Sequence, residues 1–359
     1  MVKVGINGFG RIGRLAFRVA LLKHTQDIEI AAINTSGSMN VAGWAYLANY
    51  DSSYGKFSKL VVAEEVLEDP LIGYLKVESH KIPVLAQRDP EKIPWGKYGV
   101  DIVIESTGHF TSEEDAKKHA IGGAKRVIIS APSKGGNVGT YVIGVNEYKG
   151  DAIVLNNASC TTNCIAPVAA VMHAKFGIEK AAMTTIHSYT DDQNLKDNSH
   201  KDLRRSRSAA ENIIPTSTGA AIATTETIPE LKGLFDGMSL RVPTATGSIT
   251  DFAIITKRDT TVEEVNKVFK EAVENPIYKG ILAVSEEPIV SSDIIGRSES
   301  CIVDLPLTQV ISGNLVKVFA WYDNEWGYTN RLVEQAVRVG NTLNSNSAPT
   351  DPITLSFQN

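Results

Sequence analysis

Residues 157–164 read "NASCTTNC", which sets two of the chain's three cysteines, Cys160 and Cys164, close together among small hydroxyl and amide side chains. Four chemistries suit such a pair: metal ligation, redox cycling, a disulfide, or a nucleophile beside an inert neighbour. Metal binding needs more ligands at short spacing than this stretch supplies, and C-x-x-x-C is not the C-x-x-C spacing of thioredoxin-like sites. With Cys301 the cysteines are odd in number, and disulfides are uncommon in a reducing cytosol. That leaves the nucleophile. The apolar "AIVLNN" (152–157) runs into "ASCTTNCIAPVAAVMHAKFG", whose later part has helical composition, so Cys160 falls at a strand-to-helix turn. There the positive end of the helix dipole favours the thiolate. Cys164 falls one turn inside, among apolar neighbours, and reads as structural. A nucleophilic thiol needs a base, and "MTTIHSYTDDQ" offers His187 at the end of an apolar strand. Spacing alone does not show that the two side chains meet.

A second constellation lies at the start. Gly8, Gly10 and Gly13 form G-x-G-x-x-G directly after the apolar "KVGIN" and at the opening of "RLAFRVALLK". In that context the glycines allow a tight turn, close backbone approach to a pyrophosphate, and a helix N-terminus aimed at its charge, with Arg11 beside the phosphates. The strand that follows, "IEIAAIN" (28–34), should end on a carboxylate that binds the adenosine ribose. It ends instead on Thr35 and Ser36, while Asp27 and Glu29 stand at its other end. A carboxylate there would repel a 2′-phosphate, whereas Thr35, Ser36 and Ser38 are able to donate hydrogen bonds to one. The expectation is a site that accepts NADP, alone or beside NAD.

These residues need a scaffold, and 359 residues that are 43% hydrophobic and 21% charged suffice for an α/β protein of two domains. Strand candidates at 28–34, 101–106, 126–130 and 152–157 alternate with helical stretches, which implies a parallel, doubly wound sheet. Between them "FTSEEDAKKHAIGG" predicts a helix with Thr111 and Glu114 as capping box and Gly122 as its stop. Beyond residue 160 the texture turns to long alternating strands such as "SITDFAIITK" (248–257), predicting a mixed or antiparallel sheet. A helix with Val262, Val265, Phe269, Ala272 and Val273 on one face packs against that sheet. The expected division is 1–159 and 160–328, with a C-terminal helix over 329–359 completing the first domain, and the polar tail from 344 loose.

A net charge of −5 gives no electrostatic reason to expect nucleic acid or an anionic membrane as the main partner. No apolar run approaches the roughly 18 residues of a membrane span, and "MVKVGINGFGRIGR" carries no apolar signal region, so the expected location is cytoplasmic.

The stretches "INGFGRIGR", "YDSSYGKF", "SAPSKGG", "NASCTTNC", "IHSYTDDQ", "RRSRSAAENIIPTSTGAA", "SLRVPT" and "WYDNEWGY" together resemble the phosphorylating glyceraldehyde-3-phosphate dehydrogenases, in order over nearly the whole chain. The resemblance implies a Rossmann-type nucleotide domain and an α+β catalytic domain, in a homotetramer. It implies that Cys160 attacks the aldehyde of glyceraldehyde 3-phosphate, that oxidation by NAD or NADP leaves a thioester, and that inorganic phosphate releases an acyl phosphate. His187 would support the thiolate as an imidazolium and then accept the hemiacetal proton. Thr190 and Arg241 would hold the substrate phosphate, with Arg205, Thr218 and Gly219 around the attacking phosphate, and Ser159 and Thr161 beside Cys160. Arg11, Ile12, Arg88, Ser130 and Asn324 would contact the cofactor, and no metal is implied. Arg204 and Arg207 would serve the surface or a subunit contact.

Two departures concern the cofactor. Thr35 replaces the aspartate usual in NAD-dependent members, and Asn198-Ser199 stands where those members carry a residue followed by proline, on a loop that reaches a neighbouring subunit. Serine at the second place resembles the NADP-accepting photosynthetic members. An erythrose-4-phosphate dehydrogenase would share Cys160, His187 and the fold. A regulatory or nucleic-acid-binding module on a nucleotide fold would show a damaged catalytic set or a basic surplus, and the sequence has neither.

Overall fold

The structure is a computed structural model and describes residues 1–150 and 152–344. The tail from 345 onward, and with it the last part of the helix expected over 329–359, lies outside the described residues. The chain forms two compact units.

The first unit holds residues 1–141, 148–158 and, from Thr329, the C-terminal helix. In chain order it contains β1 (Val2–Asn7), α1 (Arg11–Lys23), β2 (Ile28–Asn34), α2 (Val41–Asn49), the short β3 (Tyr50–Asp51) and β4 (Gly55–Lys56), then β5 (Val61–Glu68), β6 (Leu71–Val77) and β7 (His80–Leu85). β8 (Ile102–Glu105), α3 (Glu113–Ile121), β9 (Arg126–Ile129), β10 (Gly139–Thr140) and β11 (Val154–Asn156) follow. The main sheet has the order β10-β11-β9-β8-β1-β2-β7-β6-β5. β1 is buried along nearly its whole length, as a central parallel strand covered on both faces must be. From β1 the chain winds one way to β2 and later returns to β8 on the other side, and both pairings are parallel. This reversal makes the crevice at the carboxyl ends of β1 and its neighbours where α/β sheets take ligands.

The expectation of a parallel sheet needs extending, because β5, β6 and β7 form an antiparallel meander at one edge. β5 breaks its own alternation at Glu64 and Glu65, and Glu64 pairs with Lys76 at 2.6 Å and Lys81 at 2.7 Å across the meander. Charged edge strands also resist pairing with another chain. The cap of α3 is corrected by one residue. Ser112, not Thr111, accepts from the Asp115 amide at 3.1 Å, because Thr111 is buried and its carbonyl is taken by the Lys134 amide.

The second unit holds residues 142–147 and 159–328. It begins with α4 (Cys160–Phe176) and β12 (Ile178–Ser188), followed by β13 (Ile214–Ser217), α5 (Ala220–Thr227), β14 (Phe235–Val242), β15 (Ser248–Thr256) and α6 (Val262–Glu274). β16 (Leu282–Ser285), β17 (Cys301–Asp304), β18 (Gln309–Ile311) and β19 (Leu315–Tyr322) complete its sheet, and α7 (Trp326–Asn344), which passes to the first unit at Thr329, follows. The order is β13-β14-β12-β15-β19-β17-β16, with β18 beside β19. β12 pairs with β14 in parallel and with β15 antiparallel, so the sheet is mixed. β15 and β19 alternate buried and half-buried residues, and their inner faces meet α4. α4 is apolar all round and buried on nearly every side, which fixes its start firmly. On α6 the inner face is Val265, Val268, Phe269 and Ala272, with the expected Val262 and Val273 only half-buried.

Candidate active site

In the first unit a pocket of about 400 Å³ opens at the carboxyl ends of β1, β2 and β8. Gly8, Gly10, Thr35, Ser36 and Arg88 line it as expected, together with Asn7, Phe9, Asn34, Trp44, Gln87, Thr107, His109 and Phe110, which the sequence reading did not single out. Gly8 has φ +94, a value side chains rarely tolerate, and a β-carbon on Gly13 would collide with the Gly8 carbonyl oxygen. α1 starts at Gly10 without a side-chain cap, and its N-terminal end faces the turn where the helix dipole favours an anion. An uncapped helix start, glycines that admit close approach and a roomy, mostly apolar pocket with a few polar groups on its wall fit a dinucleotide.

Five expected cofactor residues do not line this pocket, Asn324 among them because it belongs to the second unit. Gly13 acts through packing, and Ile12 and Ser130 also lie outside the lining. Arg11 turns instead to Asp51 at 2.6 Å and lies over the Tyr54 ring. Burial pushes the Asp51 carboxyl up, but the Arg11 charge and the amides of Ser53 and Tyr54 outweigh it and hold Asp51 below the usual carboxylate range. Thr35 also departs from expectation. It is buried, and its hydroxyl donates to the Leu85 carbonyl at 2.9 Å, so its one proton is not available to a 2′-phosphate. Ser36 and Ser38 remain exposed, bonded to each other at 2.9 Å.

The first unit ends its β11 turn on Ala158, which is in the left-handed region with φ +55 and whose amide donates to Asn156 Oδ1 at 2.9 Å. Ser159 then caps α4, accepting from the Thr162 amide at 3.0 Å, and Cys160 is the first residue of the helix. His187 stands near the end of β12, and its Nε2 lies 3.3 Å from Cys160 Sγ. Strand register explains the third member: in the parallel β12–β14 pairing Arg241 is the direct partner of His187. Arg241 Nη1 lies 2.7 Å from His187 Nδ1 and donates to the Ser188 carbonyl at 3.1 Å; that carbonyl is itself 2.6 Å from Nδ1. Tyr322, at the end of β19, braces the site by bonding the hydroxyls of Thr161 at 2.9 Å and Thr185 at 2.8 Å, with its ring edge-on to His187.

Burial, and next the Arg241 charge, hold the His187 imidazole down at about 3, while the Ser188 carbonyl and Asp192 pull the other way. Burial likewise pushes the Cys160 thiol up, against the Arg241 charge and the hydroxyl and amide of Thr161. Each group taken singly is therefore held neutral. An ion pair arises by passing one proton from Sγ to Nε2, and the two groups titrate as a pair. Cys164 is fully buried, and burial raises its thiol well above the ordinary range, as expected of a structural cysteine.

The expected phosphate ligands divide. Thr190 and Arg205 both bond Asp192, which the sequence reading passed over although it lies two residues past Thr190. Burial raises the Asp192 carboxyl, but the Thr190 hydroxyl and the charges of Arg205 and Arg241 outweigh this and lower it. Arg205 Nε also donates to Thr216 at 3.0 Å. Thr218 accepts from the Ala220 amide at 3.2 Å, and Gly219 caps α5. Thr161, 5% exposed and bonded to Tyr322, lies beside the sulfur of Cys160. Asn324 accepts through Oδ1 from the Gly247 amide at 3.1 Å and Ser248 at 3.0 Å, which fixes its orientation with the amide nitrogen outward from those donors.

Residues 2–113 match the family model described as glyceraldehyde 3-phosphate dehydrogenase, NAD binding domain, and residues 159–324 match the corresponding C-terminal domain. The chain is 52% identical to a glyceraldehyde-3-phosphate dehydrogenase of Streptomyces coelicolor over 345 residues, covering 95% of this chain and 99% of that protein. It is 51% identical over 341 residues to one of Geobacillus stearothermophilus, covering 94% and 98%.

Proposed function

The chain belongs to the glyceraldehyde-3-phosphate dehydrogenase family, NAD(P)-dependent oxidoreductases acting on an aldehyde, and we propose how its residues divide that reaction. The observation that carries the reading is the 3.3 Å approach of Cys160 Sγ to His187 Nε2 at the start of a buried helix. Cys160 gives its proton to His187 Nε2 and attacks the aldehyde carbon, and that proton returns from Nε2 to the former carbonyl oxygen, forming a thiohemiacetal and freeing Nε2. The cofactor, which the glycine turn, Ser36 and Arg88 would hold, would supply the hydride acceptor. The proton leaving the thiohemiacetal hydroxyl passes to Nε2, and the thioester that results is opened by phosphate. Arg241 and Thr190 hold the substrate phosphate. Arg241 Nε is buried without a partner among the described residues, which leaves one side of its fork for an anion. Arg205, Thr218 and Gly219 serve the attacking phosphate, with Ser159 and Thr161 beside Cys160.

NADP is accepted beside NAD in this reading. β2 ends on no carboxylate, Ser36 and Ser38 are exposed at its tip, and Arg88 on the pocket wall adds a cation for a 2′-phosphate. The exposed Ser199 of a neighbouring subunit would join them in a homotetramer. No helix among the described residues is long and apolar enough to cross a membrane, and three free thiols suit a reducing cytoplasm. The test is to titrate NAD and NADP separately against glyceraldehyde 3-phosphate, with phosphate, with arsenate, and with neither. Turnover with both cofactors that stalls without either anion is expected. Strong preference for NAD removes the NADP reading, and steady turnover without an anion removes the phosphorolytic step.

A further inference from the structure

A buried carboxylate lies beneath the nucleotide pocket and takes no part in the chemistry above. Glu105 ends β8, is 1% exposed, and accepts from four donors. Oε2 takes Asn7 Nδ2 at 2.5 Å and His119 Nε2 at 3.0 Å, and Oε1 takes the Thr107 amide at 2.8 Å and the Thr107 hydroxyl. The protons are assigned by groups with no choice. Trp95 Nε1 is solely a donor and lies 3.0 Å from His119 Nδ1, so Nδ1 carries the lone pair and Nε2–H faces Glu105. Asn7 Oδ1 in turn accepts from Asn34 Nδ2 at 2.7 Å, and Asn34 is locked by the Gln87 backbone, donating to its carbonyl at 2.8 Å and accepting from its amide at 3.0 Å.

Two arms therefore leave this carboxylate. One runs through Asn7 and Asn34 to Gln87 and the neighbouring Arg88. The other runs through Thr107, whose hydroxyl oxygen accepts from the His109 amide at 3.1 Å, to the loop bearing His109 and Phe110. Both loops line the pocket, as do Asn7, Asn34 and Thr107 themselves. We infer that Glu105 is a positioning residue that pins both loops of the nucleotide pocket at once and so sets cofactor affinity. This rests on assigning the pocket to the dinucleotide.

Glu105→Gln exchanges one oxygen for an NH2 group and keeps the shape, yet no orientation satisfies it. Turned one way, the new amide faces Asn7 Nδ2 and His119 Nε2–H; turned the other, it faces the amide and hydroxyl of Thr107. His119 cannot escape by exchanging its proton, because Nδ1–H would then face Trp95 Nε1–H. The variant's NAD dissociation constant and its KM for NAD should rise about tenfold or more, as expected for losing charged hydrogen bonds, with kcat at saturating NAD within about twofold of wild type. The KM for glyceraldehyde 3-phosphate should stay unchanged. Thr107→Val, which removes only the hydroxyl joining Glu105 to the His109 amide, carries the same test with a smaller rise in KM for NAD should E105Q not fold. NAD affinity within twofold of wild type in the folded variant, or a fall in kcat at unchanged affinity, overturns the inference. A wild-type chain that binds neither NAD nor NADP overturns the pocket assignment instead.

Discussion

The nucleotide pocket and the thiol site are built by different means. In the pocket, backbone leads: the uncapped start of α1, Gly8 at a φ reserved for glycine, Gly13 pressed on a carbonyl, with a buried carboxylate steadying the loops. In the thiol site, side chains lead: Cys160, His187, Arg241 and Tyr322 come from four elements and meet through helix start and strand register. A backbone site writes itself into a short contiguous motif, whereas a side-chain site scatters its members and relies on the sheet to assemble them.

Three changes probe this contrast. The largest effect is expected on the side-chain site, where Cys160→Ser exchanges a polarizable nucleophile for a poor one. Phosphorylating turnover should fall by about a thousandfold or more while NAD still binds; near-normal activity would sink the assignment. Next comes the backbone site. Gly13→Ala forces a methyl onto the Gly8 carbonyl, so the turn must open, and NAD affinity should drop by about tenfold or more at little cost to alkylation of Cys160 by iodoacetamide. Equal loss of thiol reactivity would mean that the two sites are not separable in this way. The smallest change is Tyr322→Phe, which leaves the buried Thr161 and Thr185 hydroxyls without that partner. Stability measured by chemical denaturation should fall by about 1–3 kcal/mol, with activity reduced but retained. An unchanged midpoint would show that the brace is dispensable.

Legibility follows the same divide. The β1-α1-β2 unit and the helical start at Cys160 could be read because glycine spacing and a polar turn before an apolar helix are local signals. The antiparallel edge was hidden because β5 sets Glu64 and Glu65 side by side and so breaks its own alternation. Thr35 looked like a ready donor, and only the approach of Leu85 shows where its proton goes. Asp192 stood in plain view beside Thr190, yet nothing in its neighbours announced that Arg205 would close on it. Arg241 entered by resemblance alone, since its adjacency to His187 is a property of two strands and the chain between them.

That adjacency carries a constraint on how the protein can change. Successive residues of a strand face opposite ways, so deleting or inserting a single residue in β14 before Arg241 would send its guanidinium to the far side of the sheet, while a change of two would keep the side and shift the position by a step. Loops joining β12 to β14 can change length where they leave Thr190, Arg205, Thr218 and Gly219 in place, but β14 must preserve its odd-and-even count, and Arg241 tolerates such drift in length far better than drift in parity.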